Sequence, residues 1–277
     1  MTTTYTLGHH ESVLRSHKWR TVANSAAYLR PHLRPGQRIL DVGCGPGTIT
    51  HEFASIVGAT GSVIGIDTAP HVVEHARQAN TDGAAAAAPT EFRVGNAEAL
   101  AFPDHHFDVV HAHQVLQHLG DPVTALREMA RLVRPGGIIA VRDADYDAMT
   151  WYPQPAGMSQ WLATHQAVAR ANGAEPNAGR RLCAWAHEAG LTGITSTASV
   201  WCFATEGDRQ WWGGLQADRI MHSDLARQAV KAGIAAPSDL EEMAQGWRDW
   251  AAHDTAWFAV LHGEILCRAP HHEGDAA

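Results

Sequence analysis

"ILDVGCGPGTIT", residues 39–50, runs from an apolar stretch through the acid Asp41 into a cluster of three glycines, Gly43, Gly45 and Gly47. Glycines placed straight after a strand pattern mark a backbone that must come very close to a ligand. The surrounding order is strand, acid, glycine cluster, helix, second strand, and then Asp67 about twenty residues on, which is the nucleotide-cofactor logic of a doubly wound sheet. In that logic the second acid accepts hydrogen bonds from ribose hydroxyls. A dinucleotide fits poorly, because Gly43-x-Gly45-x-Gly47 is one residue short of G-x-G-x-x-G and Asp41 stands where it would repel a pyrophosphate. No G-K-[ST] follows, so a phosphate-cradling loop is excluded as well.

Working outward, strand and helix signals alternate on both sides of the loop. An N-terminal helical segment carries Val13, Val22, Ala26, Tyr28 and Leu29 at helical spacing and stops at "RPG", 34–36. The spacing then predicts strands at 38–43, 62–67, 91–95, 107–112 and 137–143, with helices at 47–57, 70–80 and 121–133. "DP" at 121–122 reads as an N-cap followed by proline in the first helical position. Such alternation implies a parallel sheet with helices on both faces. The alanine-rich run 82–89 reads as a loop. Beyond residue 150 nine of the ten tryptophans appear, with helices predicted at 156–172 and 178–189, strands at 192–205 and 256–270, and a helical insertion between those strands at 206–252.

At 277 residues, with 45% apolar and 18% charged side chains, the chain has the composition of one large soluble domain with an insertion. No stretch reaches the ~18 apolar residues that a membrane span requires. The N-terminus lacks a signal-peptide pattern, so a cytoplasmic location is expected. A formal charge of −8 argues against nucleic acid as partner. The four cysteines show no C-x-x-C spacing and are read as reduced thiols.

A ligand with a ribose, no phosphate and positive charge of its own satisfies the loop, and S-adenosylmethionine, with its sulfonium and ammonium groups, is such a molecule. In "ILDVGCGPG" (39–47), "VIGIDTAPHVVEHAR" (63–77), "FRVGNAEALAFPDHHFDVVHAHQVLQHLGDP" (92–122) and "ALREMARLVRPGGIIAVRD" (125–143) the chain resembles the class I S-adenosylmethionine-dependent methyltransferases. Within them it resembles the group typified by ubiquinone and menaquinone biosynthesis and small-molecule methyltransferases. The resemblance implies an α/β fold: a doubly wound, seven-stranded, mostly parallel Rossmann-like sheet with N-terminal helices (1–35), a cofactor-binding core (36–150), and a C-terminal part (151–277) carrying a helical lid. It implies that Asp41, Gly43, Gly45 and Gly47 form the loop against the methionine part, with glycines because a Cβ would clash. Asp67 would hold the ribose, Thr68 would flank the adenine, and Asn96 and Ala97 would edge the ring, Asn96 standing where the common pattern has aspartate. His113 and Gln114 would face the methionine end, and Arg20 would pair with the cofactor carboxylate.

For the transfer itself the resemblance offers His118 as base and Asp143 as its partner, since both lie just beyond strands at the ligand-binding edge. A helix-capping or core role for His118 remains the alternative. Trp151, Tyr152, Trp201, Trp211 and Trp212 either pack the insertion or line an apolar acceptor pocket, in which case the acceptor is a flat or greasy small molecule. Asp143-x-Asp145-x-Asp147 resembles a calcium loop but lacks its glycine and its final glutamate, and no histidine spacing supports a metal, so a metal-free site is expected. The expected partner is a small-molecule acceptor, with neither nucleic acid nor membrane, and a homodimer is left open. Methylation of protein or nucleic acid, and a cofactor-binding protein without turnover, stand as alternatives.

Overall fold

The structure is a computed structural model that describes residues 6, 8, 11–79 and 87–269. Residues 82–86 of the alanine-rich run and the pair His271-His272 lie outside the described residues. Two short N-terminal helices, α1 (Glu11–Lys18) and α2 (Val22–Ser25), precede β1 (Arg38–Val42), α3 (Thr48–Val57), β2 (Ser62–Asp67), α4 (Pro70–Ala79), β3 (Thr90–Val94), β4 (Phe107–His113), α5 (Pro122–Leu132) and β5 (Val133–Ala144). There follow β6 (Thr150–Tyr152), α6 (Met158–Ala171), α7 (Ala178–Glu188), β7 (Thr192–Phe203), α8 (Glu206–His222), α9 (Asp224–Lys231), α10 (Pro237–Ala252) and β8 (Trp257–Arg268). Element ends obey local chemistry: Asp121 accepts from Thr124 N–H with Pro122 in the first turn of α5, and Thr205 and Asp208 form a reciprocal capping box on α8.

The strands form one sheet in the order β3-β2-β1-β4-β5-β8, with β7 on the far side of β8. The first five are parallel and β8 runs antiparallel to β5 and β7. The expected count of seven becomes eight, because Thr150–Tyr152 adds a short antiparallel strand against Trp257–Ala259. Three residues give too short a pattern to read in sequence.

One face of the sheet packs Leu40, Val110, Ile139 and Ile265 against α5 and α7, and the other packs Ile39, Val109 and Ala140 against α3 and the N-terminal segment through Phe53, Ala26 and Leu29. On this second face the alternation of β4, β5 and β8 also inserts a polar row, with His113 opposite Arg142 and Arg142 opposite Glu264. Arg142 Nε donates to Glu264 at 3.2 Å, its guanidinium lies 5.0 Å over the Trp201 ring, and burial pulls its pKa down to about 10.

Helices α8–α10 occupy the chain between β7 and β8, within the stretch read as an insertion, and pack with α1 and α6 on a core rich in tryptophan. Trp247 meets Trp161 edge-on at 4.8 Å and Phe258 at 5.1 Å, and Trp212 stacks on Phe203 at 4.2 Å. Trp247 is 0% exposed. Replacing it by alanine is therefore expected to cost about 3–5 kcal/mol of stability in urea unfolding; a loss below about 1 kcal/mol would mean that the insertion is not packed around this ring.

Candidate active site

The carboxyl ends of β1 to β5 open on a cavity of about 670 Å³, within the range of small-molecule sites. Sheet order places its walls: Thr68, Asn96 and Ala97 from the β2 and β3 side, the glycine loop in the middle, and Gln114, Gln117, His118 and Tyr146 from the β4 and β5 side. Ser16, His17 and Arg20 from the N-terminal segment and Arg219 from α8 complete it.

The loop is anchored by Asp41. Its Oδ2 accepts from Thr50 Oγ1 at 2.6 Å and its Oδ1 accepts from His111 Nδ1 at 2.8 Å, tying the end of β1 to α3 and to β4. Gly43, Gly45 and Gly47 all have left-handed φ, of 67°, 55° and 84°. For two of these glycines the protein itself supplies a reason. A Cβ on Gly43 would strike Val115 and one on Gly47 would come within 2.7 Å of the Phe92 ring, so both are required by the protein's own packing; only Gly45 leaves room, with His17 at 3.7 Å.

Asp67, at the end of β2, is preset: its two oxygens accept from Gly45 N–H at 3.1 Å and Ala69 N–H at 3.0 Å. Asn96 Oδ1 accepts from Glu98 N–H at 3.0 Å, so the oxygen expected to meet an adenine amino group already has a backbone partner. At the other end, His262 Nδ1 faces the Val260 carbonyl, which can only accept; its Nε2 is thus the acceptor for the Gln114 amide at 2.9 Å, and Gln114 Oε1 accepts from Arg20 at 2.7 Å. Gln114 takes this place with φ 54°, a left-handed non-glycine conformation of the kind concentrated at ligand sites.

Two polar groups in the wall have no protein partner for some of their atoms. His113 is 4% exposed with neither ring nitrogen bonded, and Gln117 Oε1 is buried and unbonded. Buried polar atoms are rarely left so, and both residues line the cavity. These orphaned atoms, the preset Asp67 and the open side of Gly45 fit an adenosyl donor with a methionine tail. Burial, with Arg20 and Arg142 adding to it, holds His113 well below the ordinary imidazole range, and burial with Arg20 pushes His118 down to about 3. Both rings are neutral at physiological pH.

Of the expected site residues, Arg20, Asp41, Gly43, Gly45, Thr68, Asp67, Asn96, Ala97, His113, Gln114 and His118 line this one cavity, and Gly47 caps α3 just behind it. Asp143 does not join them. It is 0% exposed beneath the turn that carries His118, where Oδ1 accepts from Gln117 N–H at 3.2 Å, so it positions the turn rather than facing a ligand. Of the two readings of the five aromatic residues, the pocket-lining one is corrected, because none lines the cavity. Trp151, Trp201 and Trp212 belong to the buried core, Trp211 packs against that core, and Tyr152 is 55% exposed. Trp201 comes nearest, with its ring 5.6 Å from His113. The acids of the calcium-like series are occupied within the protein, Asp145 by Arg180 and Asp147 by Gln166 and Asn177. Gln117, Tyr146, Ser16, His17 and Arg219 were not foreseen; they come from two short turns, the end of α1 and the insertion, and only the fold brings them together.

Asp143 yields a test in pH. Burial pushes its pKa from the ordinary 3.8 up to about 7. The folded chain therefore holds more protons than the unfolded chain between those values, and this contribution to stability is lost as pH rises through about 7. Unfolding free energies at pH 5 and pH 8 are expected to fall on the order of 2–3 kcal/mol more for the wild type than for Asp143→Asn; parallel pH profiles would contradict this.

Known proteins resemble this chain in sequence and in fold. A methyltransferase-domain family matches residues 33–209. An uncharacterized methyltransferase of Schizosaccharomyces pombe is 35% identical over 269 residues, covering 95% of both chains. A ubiquinone/menaquinone biosynthesis C-methyltransferase of Ectopseudomonas mendocina is 40% identical over 109 residues, 39% of this chain and 42% of that one. In fold, the chain is similar to Haemonchus contortus phosphoethanolamine N-methyltransferase 2 in complex with phosphomonomethylethanolamine and S-adenosylhomocysteine, with TM-score 0.58, 15% identity, and coverage of 95% of this chain and 58% of that one.

Proposed function

The chain belongs to the S-adenosylmethionine-dependent methyltransferase family, and we propose that it methylates an oxygen, nitrogen or carbon of a small molecule seated beside the donor in this one cavity. The observation that carries the proposal is the continuity of the cavity from Asn96 and Asp67, past the glycine loop, to Gln117, His118 and Tyr146. The cofactor supplies an electrophilic methyl group and is converted to S-adenosylhomocysteine. The chain's task is alignment. Asp67 holds the ribose, the 43–47 loop admits the methionine part, and Arg20 with Gln114 and His113 receives its polar end.

An imidazole held at about 3 is a poor store for a proton. We therefore assign His118 to hydrogen bonding with the acceptor, its Nε2 lying 3.1 Å from the Gln117 amide, and Asp143 to holding the turn beneath it. The tryptophans take no part in acceptor selection on this reading; Tyr146, stacked at 4.2 Å on His165, is the aromatic side chain offered to the acceptor.

Calorimetric titration with S-adenosylhomocysteine is expected to give one site per chain, weakened about 10- to 100-fold by Asp67→Asn, the worth of a hydrogen bond to a charged group. Methyl-labelled donor incubated with the protein and cell extract should leave its label in the small-molecule fraction; label in protein or nucleic acid would overturn the acceptor class. With the labelled acceptor in hand, His118→Gln should reduce kcat by less than about tenfold, whereas loss of a general base costs about 10²–10⁴.

A further inference from the structure

The cavity wall at the methionine end is set by a hydrogen-bond relay that starts outside the cavity. His262 stands on β8, is 0% exposed and does not line the cavity. Its Nδ1 lies 3.1 Å from the Val260 carbonyl and its ring packs 4.4 Å from that of Trp201, which together fix its orientation. A carbonyl only accepts, so the proton sits on Nδ1 and Nε2 keeps a lone pair. Burial, with Arg142 and Arg20 adding to it, holds the ring well below the ordinary imidazole range. Across β5, in the turn after β4, the Gln114 amide nitrogen meets that lone pair at 2.9 Å, while the Gln114 backbone N–H donates to the Arg142 carbonyl at 2.7 Å. Gln114 Oε1 is thereby turned the other way, where it accepts from Arg20 Nη2 at 2.7 Å. An amide has two unlike faces. Were His262 Nε2 protonated, Gln114 would turn its oxygen inward and present its NH2 group to the guanidinium, donor against donor.

We propose that His262 is a positioning residue for the methionine tail of the donor: through the amide orientation of Gln114 it sets where Arg20 stands in the cavity wall. This deepens the proposed function and rests on the donor occupying the cavity. His262 itself touches no ligand. Its single buried tautomer acts at one remove, by leaving Gln114 an oxygen rather than an NH2 group to offer the guanidinium. The relay joins three parts of the chain that are far apart in sequence, the N-terminal segment, the turn after β4 and the last strand, so recognition of the tail depends on how the N-terminal segment docks. Asp67 and Asn96, which the proposed function gives to the adenosyl group, stand on the β2 and β3 side of the sheet and lie outside the relay. Its effect therefore falls on the tail alone.

The test is calorimetric titration of the full chain with S-adenosylhomocysteine and with methylthioadenosine, which keeps the adenosyl group and the thioether but lacks the amino and carboxyl groups. Wild type is measured first. Failure to bind either ligand refutes the donor reading, whereas S-adenosylhomocysteine bound no more tightly than methylthioadenosine overturns the relay, because the tail then gains nothing. His262→Phe keeps a flat ring and removes the acceptor; it is expected to weaken S-adenosylhomocysteine by about tenfold or more, the worth of a hydrogen bond to a charged group, and to leave methylthioadenosine within about twofold. His262→Gln returns an acceptor to the same region and is expected to restore part of the loss. Equal losses for the two ligands, or no loss for either, would make His262 a core residue and overturn the proposal. Gln114→Met cuts the relay at its middle and is expected to show the same selective loss. If that variant bound S-adenosylhomocysteine as tightly as wild type, the proposal would fall even where His262→Phe does not fold.

Discussion

The cavity depends on how the end of β1 is held. Asp41 points back into the protein, taking one hydrogen bond from Thr50 on α3 and one from His111 on β4. Those two bonds fix the strand, the helix after it and the neighbouring strand relative to one another, so the three left-handed glycines between them trace a single path. Asp67 then closes the loop from the other side through Gly45 N–H. A loop held at both flanks by charge-assisted bonds loses little further freedom when a ligand binds.

Around that loop much was legible in the sequence. Alternating strand and helix signals, the Asp121-Pro122 cap and the glycine cluster each have a local cause, and local causes leave local patterns. The residues expected to hold the donor meet in one cavity for the same reason, because Asp67, Thr68, Asn96, Ala97, His113 and Gln114 all sit at strand ends whose order the fold class dictates. The rest of the cavity lining was not legible. Tyr146 follows β5 in a short turn, Ser16 and His17 sit on an N-terminal helix, and Arg219 is one arginine on a long inserted helix; no spacing connects them. The tryptophans left two readings open for a related reason, since a helical insertion needs large apolar rings for its own core, and composition alone cannot tell a core from a pocket wall.

The same burial that stabilises the insertion sets the electrostatics of the site. Trp201 covers Arg142 and stands beside His113 and His262, drying the back wall of the cavity. In that wall the histidines are neutral and the arginines keep their charge, because desolvation costs an imidazolium its proton far more readily than it does a guanidinium. On the proposed function, transfer then relies on alignment rather than on a titrating base. Asp143, raised toward neutrality beneath the His118 turn, belongs to the scaffold of this arrangement.

The central claim is that one cavity seats the donor across the glycine loop and leaves the space beside His118, Tyr146 and Arg219 for the acceptor. A crystal structure of the complex with S-adenosylhomocysteine tests it most directly. The account requires the ribose hydroxyls on the Asp67 carboxylate, the adenine beside Ala97 and the sulfur turned toward Gln117 and Tyr146. A ribose bound away from Asp67, or a ligand that fills the Arg219 end, would contradict it.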